Sequence, residues 1–78
     1  METIDIELIK SVIKTKRDLE NANKNFGIAE DELIDYYAYQ IKANKAKLSY
    51  LIKQAKEQGY ELDMINELKI KILEKQAI

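Results

Sequence analysis

The chain has 78 residues, no cysteine and no histidine, and its 13 basic and 14 acidic residues give a net charge of −1. This composition excludes disulfides and zinc sites built from Cys and His, and the small net charge argues against a general attraction to nucleic acid or acidic membranes. With two glycines, no proline and abundant Lys, Glu, Ile and Leu, we expect one all-α domain over residues 1–78.

Hydropathy and the first residues bear on location. No apolar run approaches the roughly 18–20 residues needed to cross a bilayer. Met1 is followed by charged residues rather than by the apolar stretch of a signal peptide. We therefore expect a cytoplasmic protein without a membrane segment.

The first predicted helix covers about residues 3–26. Gly27 follows at a position where helix ends favour a left-handed residue, and Ile28 is expected to fold back on the last turn. The inner face of this helix is predicted from side chains that recur at alternating steps of four and three: Leu8, Val12, Thr15, Leu19, Ala22 and Phe26.

The second predicted helix covers about residues 30–58, and the short break before it favours an antiparallel hairpin. Gly59 is expected to end it, with Tyr60 covering Ala55 as in a Schellman motif. Asn44 lies in the inner face, where it either fixes the packing register or sits at the edge and reaches water. That face consists of Ile34, Tyr37, Ile41, Asn44, Leu48, Leu51 and Ala55.

A third predicted helix covers about residues 63–77, with Asp63 as its N-cap. The hairpin would return Gly59 to the start of the first helix, where three isoleucines lie off the inner face and need cover. We expect the third helix to cover Ile6, Ile9 and Ile13. The predicted fold class is therefore all-α, an antiparallel helical hairpin with a third C-terminal helix, which could dimerise into a helical bundle. The two apolar faces of the third helix carry Ile65, Leu68 and Ile72, and Ile70, Leu73 and Ala77.

A second apolar stripe follows the other side of the second helix. It is centred about 150° around the helix from the inner face, so a two-helix hairpin would leave it exposed. Tyrosine combines a large apolar ring with a polar tip and is enriched at interfaces, which indicates a contact face. The alternatives are cover by the third helix or by neighbouring long side chains, and plain exposure. The stripe consists of Tyr36, Tyr39, Ala43, Ala46 and Tyr50.

Charge is divided along the second helix. Residues 27–41 carry four acids and no base, whereas residues 42–58 carry five lysines against Glu57, a net charge of +4. Acids near a helix N-terminus and bases near its C-terminus complement the macrodipole, which explains the division locally. Two copies paired antiparallel as a homodimer would also set each acidic half beside a basic half, and both explanations can hold.

Four lysines share a strip with Ser49 and offer a second candidate surface. Contact with phosphates would make the protein a nucleic-acid accessory protein. Nucleic-acid modules usually carry far more positive charge, so a solvated face is favoured and nucleic acid is an improbable partner. The strip is formed by Lys42, Lys45, Lys53 and Lys56.

The sequence offers little for catalysis. Without His or Cys, acid–base chemistry would depend on carboxylates, Lys or Tyr. Glu32 and Asp35 share a face, but two carboxylates are too few for a dedicated metal site. No phosphate-binding loop or nucleophile motif is present. We expect no catalytic residue, no cofactor and no bound metal, and hence no enzyme.

Three segments of the chain carry a family resemblance. The run ELIDYYAY at 32–39, the pair at 42–43 and the run YLIKQAKEQG at 50–59 resemble the YaaL-like family of short uncharacterised proteins from Gram-positive bacteria. Glu30 and Leu48 depart from the pattern. The resemblance implies a helical hairpin in the bacterial cytoplasm and no assigned activity. It also includes Leu19, Ala22, Asn25 and Phe26.

These observations together lead to one expected function. We expect a non-catalytic protein–protein interaction or adaptor module that self-associates as a homodimer, in the manner of a coiled coil. An unidentified protein partner is a further possibility.

Overall fold

The computed structural model describes residues 5–61 and 63–67, and it shows the predicted all-α fold. Helix α1 spans Ile6–Ile28 and helix α2 spans Glu32–Glu57. Residues 63–67 are also helical, and we call this segment α3. The two long helices pack against each other as a hairpin. The predicted helical residues 3–4 and 68–77 lie outside the described residues.

Helix α1 begins with a side-chain cap that is also tied to the other end of the hairpin. The Asp5 carboxylate accepts a hydrogen bond from the Leu8 N–H at 3.0 Å, which satisfies one of the free donors of the first turn. The Asp5 N–H donates to the Tyr60 hydroxyl at 2.7 Å. This bond fixes the start of α1 beside the end of α2. We call this end of the hairpin the base.

Helix α2 ends in the predicted Schellman motif. Gly59 has φ of +91°, a conformation that glycine adopts without a steric penalty. The Tyr60 N–H donates to the Ala55 carbonyl and the Gly59 N–H donates to the Lys56 carbonyl, each at 3.0 Å. The reversal turns Tyr60 towards α1, where its ring packs on the core.

The hydrophobic core is concentrated at the base. Ile65 of α3 is buried against Ile9 and Ile13, so the third helix covers two of the three isoleucines that needed it. Ile6, the third, remains 46% exposed, and the predicted cover is wrong at that position because the side chain lies in the first turn, beyond the cluster. The buried cluster comprises Ile9, Val12, Ile13, Ala55 and Ile65, with Leu8, Leu48, Leu51 and Tyr60 packed around it.

The opposite end, which we call the turn end, differs from the prediction. Helix α1 continues through Gly27 to Ile28, and the positive φ of 54° belongs to Asp31. The Leu33 N–H donates to the Glu30 carbonyl at 3.1 Å, so the chain reverses around Asp31. A glycine inside a helix costs only about 1 kcal/mol, which does not stop a helix that can still form its next hydrogen bonds. The predicted helix end at Gly27 is therefore wrong.

The inner faces of both helices become less buried towards the turn end. Phe26 and Ile34 were predicted to be buried, yet each is 43% exposed, and Ile28 is 81% exposed instead of folded back. No described element crosses this end of the hairpin, so each helix can shelter only the side chains that point at the other. The remaining members of both predicted inner faces are buried or half-buried.

Two polar residues interrupt the inner faces. Thr15 is 1% exposed, and its hydroxyl has no hydrogen-bond partner among the described residues. A buried unpaired hydroxyl costs about 1–3 kcal/mol. Asn44 is half-buried, which fits both of its predicted roles.

Candidate interaction surface

The tyrosine stripe lies along an exposed side of α2, with Tyr36 at its border with α1. Exposure is 52% for Tyr36, 73% for Tyr39 and 62% for Tyr50. Ala43 and Ala46, between the rings, are also exposed. Because residues three, four and seven apart share one side of a helix, the backbone of α2 brings the five side chains into one row. We call this row the outer face.

The three tyrosine rings of the outer face differ in their contacts and in their exposure. Tyr36 meets the half-buried Tyr37 edge to face, with ring centroids 5.0 Å apart and an interplanar angle of 79°. Tyr36 also lines a shallow cleft of about 170 Å³ between α1 and α2. Tyr37 therefore fixes the Tyr36 ring at one end of the face, and Tyr39 is left as the most exposed aromatic side chain of the described residues.

The charges of α2 follow the predicted division. Glu32 and Asp35 lie in the first turn and Lys56 lies in the last turn, as the helix macrodipole favours. All of the acids and lysines of α2 are exposed. Over residues 5–61 and 63–67, the only ion pair joins Lys14 and Asp18, at 2.8 Å. Both ends of α2 thus present charge to solvent.

The lysine strip is a more mixed surface than its four lysines indicate. Lys42, Lys45, Lys53, Lys56 and Ser49 are all exposed. Glu57 joins Lys53, Lys56 and Ser49 in lining one open depression, so a carboxylate stands among the bases. The arrangement offers phosphate no enclosed set of donors.

The turn end presents an apolar surface that the sequence pattern did not reveal. Four large apolar side chains are exposed there, and we call them the turn patch: Phe26, Ile28, Leu33 and Ile34. Leu33 lies one helical turn before Tyr36, so the turn patch adjoins the outer face. The signal that could have found it is the shortness of the break, which leaves no chain to cover the ends of the two inner faces.

Among residues 5–61 and 63–67, no three acidic side chains converge where a metal ion could bind. None of the described helices has an apolar stretch suited to crossing a bilayer.

A comparison with known families matches residues 2–62 to the family described as "Protein of unknown function (DUF2508)". The chain belongs to this family. The DUF2508 match includes both long helices, the whole outer face and Tyr60, and it ends before Ile65. No curated protein and no solved structure matches the chain. The match therefore covers the hairpin and the Asp5–Tyr60 bond, but not the α3 residue that completes the core.

Proposed function

We propose that this member of the DUF2508 family is a non-catalytic protein–protein interaction or adaptor module that self-associates through the outer face of α2. The observation that carries the proposal is the exposure of Tyr36, Tyr39 and Tyr50 in one row along α2. Burial of one large aromatic side chain stabilises an association by about 1.5–3 kcal/mol. Burial of three rings in one row can therefore offset part of the free-energy cost of association with a second helix.

The small residues between the rings support the same proposal. Ala43 and Ala46 place only methyl groups at the middle of the outer face. A second helix can therefore approach the backbone of α2 closely there, while the rings on either side pack against it. This is the contact pattern of a coiled-coil seam, in which side chains three and four residues apart meet a partner helix.

The test is to place a charge in the middle of this face. Tyr39→Glu should give a folded monomer, because association would bury a carboxylate without a partner. Sedimentation equilibrium of the unmodified chain and of the variant measures the difference. Circular dichroism checks that both keep the same helix content.

The matched control is Ala38→Glu. Ala38 is exposed and adjacent to Tyr39, but it lies one residue, and hence about 100°, around the helix. This variant has the same new side chain and the same change in net charge, and it should remain associated. An unmodified chain that is monomeric at high micromolar concentration would remove the proposal.

The alternative function, as a nucleic-acid accessory protein, would use the lysine strip. It predicts binding to a generic duplex that weakens steeply with salt. The carboxylate of Glu57 within the strip and the net charge of −1 favour the self-associating module. Binding to the duplex at low salt by both the unmodified chain and Tyr39→Glu would favour the alternative.

The proposal includes an ancestry and a location. The aromatic run at 32–39 and the run at 50–59, which ends at Gly59, support membership of the YaaL-like group of Gram-positive bacteria. That resemblance also supports a cytoplasmic location. Fractionation of the native host, followed by immunodetection of the protein, would test the location.

A further inference from the structure

We infer that the outer face of α2 binds the same face of a second copy with the two α2 helices antiparallel, so that the turn end of each copy meets the base of the other. The inference rests on the proposed function, since it specifies the partner and the orientation at the proposed contact face. Two observations carry it: the division of exposed charge along α2 and the symmetric placement of Tyr36 and Tyr50 about Ala43.

The charge division favours the antiparallel orientation. Residues 30–35 hold four exposed acids and no base, and residues 51–56 hold two exposed lysines and no acid. In a symmetric antiparallel pair centred on Ala43, these two segments lie opposite each other twice. At each end of the interface, the acids around Asp35 of one copy therefore lie near the lysines around Lys53 of the other.

The parallel orientation would place like charges together. Glu32 and Asp35 of one copy would lie beside the same two carboxylates of the other, and Lys53 would lie beside Lys53. Like charges in direct opposition are unfavourable, and in addition the two helix macrodipoles would be aligned. The same exposed groups that complement one orientation thus oppose the other.

The two end rings of the outer face lie symmetrically about Ala43, whereas Tyr39 lies four residues before it and Ala46 three residues after it. Tyr36 lies seven residues before Ala43 and Tyr50 lies seven residues after it. An antiparallel partner centred there brings the Tyr36 ring of one copy to the Tyr50 ring of the other at both ends. The methyl side chain of Ala43 lies at the axis, where the two backbones come closest. One contact patch can therefore bind its own copy, as a two-fold interface requires.

Distances between spin labels distinguish the two orientations. The chain has no cysteine, so Lys56→Cys gives a single labelling site and keeps four of the five lysines of residues 42–58. In the antiparallel pair the two labels are about 40 Å apart, whereas in a parallel pair they lie within about 25 Å. Gln40→Cys is the matched site near the axis, where both orientations give a distance under about 25 Å.

Each outcome has one meaning. A long distance at position 56 together with a short distance at position 40 supports the antiparallel pair. Short distances at both positions would overturn the inference and leave self-association intact. If the spin labels show no dipolar coupling at either position and the chain sediments as a monomer, both the inference and the proposed function are overturned.

Salt provides an independent check on the same pair. Screening weakens contacts between opposite charges and relieves contacts between like charges. The dimer dissociation constant of the unmodified chain should therefore rise between low and high salt. A dissociation constant that falls with added salt would contradict the antiparallel arrangement.

Discussion

The two ends of the hairpin are built differently although the same two helices form both. At the base, α1 begins with the Asp5 cap, α2 ends in the Gly59 reversal, and the Tyr60 hydroxyl joins them. Ile65 closes the core there. At the turn end, Asp31 makes no side-chain cap bond and the turn patch stays exposed. A two-helix hairpin needs a further element to close each end, and the described residues supply one only at the base.

The difference between the two ends distinguishes the part of the hairpin that holds the fold together from the exposed surface proposed for association. Local stability follows buried apolar contacts, so the base should hold the fold together. Exposed apolar groups concentrate on the turn patch and on the outer face of α2, which adjoin at Leu33 and Tyr36. Substitutions of apolar residues at the base should therefore change the free energy of unfolding, whereas substitutions on the outer face should mainly change association.

The largest expected effect is the difference in stability loss between alanine substitutions at Ile9 and at Ile28. Ile9 is 0% exposed and Ile28 is 81% exposed. Ile9→Ala should lower the free energy of unfolding by about 2–5 kcal/mol, which approaches the whole stability of a domain this small. Ile28→Ala should change it by less than about 0.5 kcal/mol. Urea unfolding followed by circular dichroism measures both, and equal effects would refute the difference between the ends.

Substitution by alanine should change the free energy of unfolding in opposite directions at the two glycines. Gly59 has φ of +91°, and a Cβ there meets no atom within 4 Å, so Gly59→Ala is penalised by the backbone alone. We expect a loss of about 1–2 kcal/mol.

Gly27→Ala provides the matched comparison, because Gly27 lies inside α1 and a Cβ there also meets nothing within 4 Å. We expect a gain of about 0.5–1 kcal/mol. Thermal unfolding at equal concentrations checks both variants. A loss of stability in Gly27→Ala would restore the helix end that the sequence predicts at Gly27.

A smaller effect than those of Ile9→Ala and Gly59→Ala is expected from the loss of one hydroxyl. Tyr60→Phe removes the acceptor for the Asp5 N–H and should lower the free energy of unfolding by about 0.5–1.5 kcal/mol. Tyr39→Phe is the control, since the Tyr39 ring is 73% exposed and its loss of a hydroxyl should leave stability unchanged. A Tyr60→Phe variant as stable as the unmodified chain would show that the bond adds nothing at the base.

Periodicity and the glycine signals predicted much of this fold. The Gly59 reversal follows from a glycine placed directly before an apolar residue that can fold back, which is the local signature of a Schellman motif. The cover of Ile9 and Ile13 by Ile65 follows from their position off the inner face. Both predictions depend on residues that are close in sequence or on a stripe that is repeated many times.

The features that the sequence did not predict depend mainly on contacts between residues that are far apart in the chain. Periodicity shows which side of a helix points inwards, but it cannot show that no described element crosses the turn end to cover Phe26 and Ile34. Gly27 was misread because a glycine inside a helix and a glycine after one look alike in sequence. The bond between Asp5 and Tyr60 joins residues 55 positions apart, and no local pattern specifies it.

The most direct test of the account is a dilution series of the isotope-labelled full chain followed by amide chemical shifts. Association through the outer face predicts concentration-dependent shifts along residues 36–50. The amides of Ile9 and Val12, buried at the base, should not change. Shifts centred on the base, or no change at any concentration, would contradict the central claim that α2 binds a second chain.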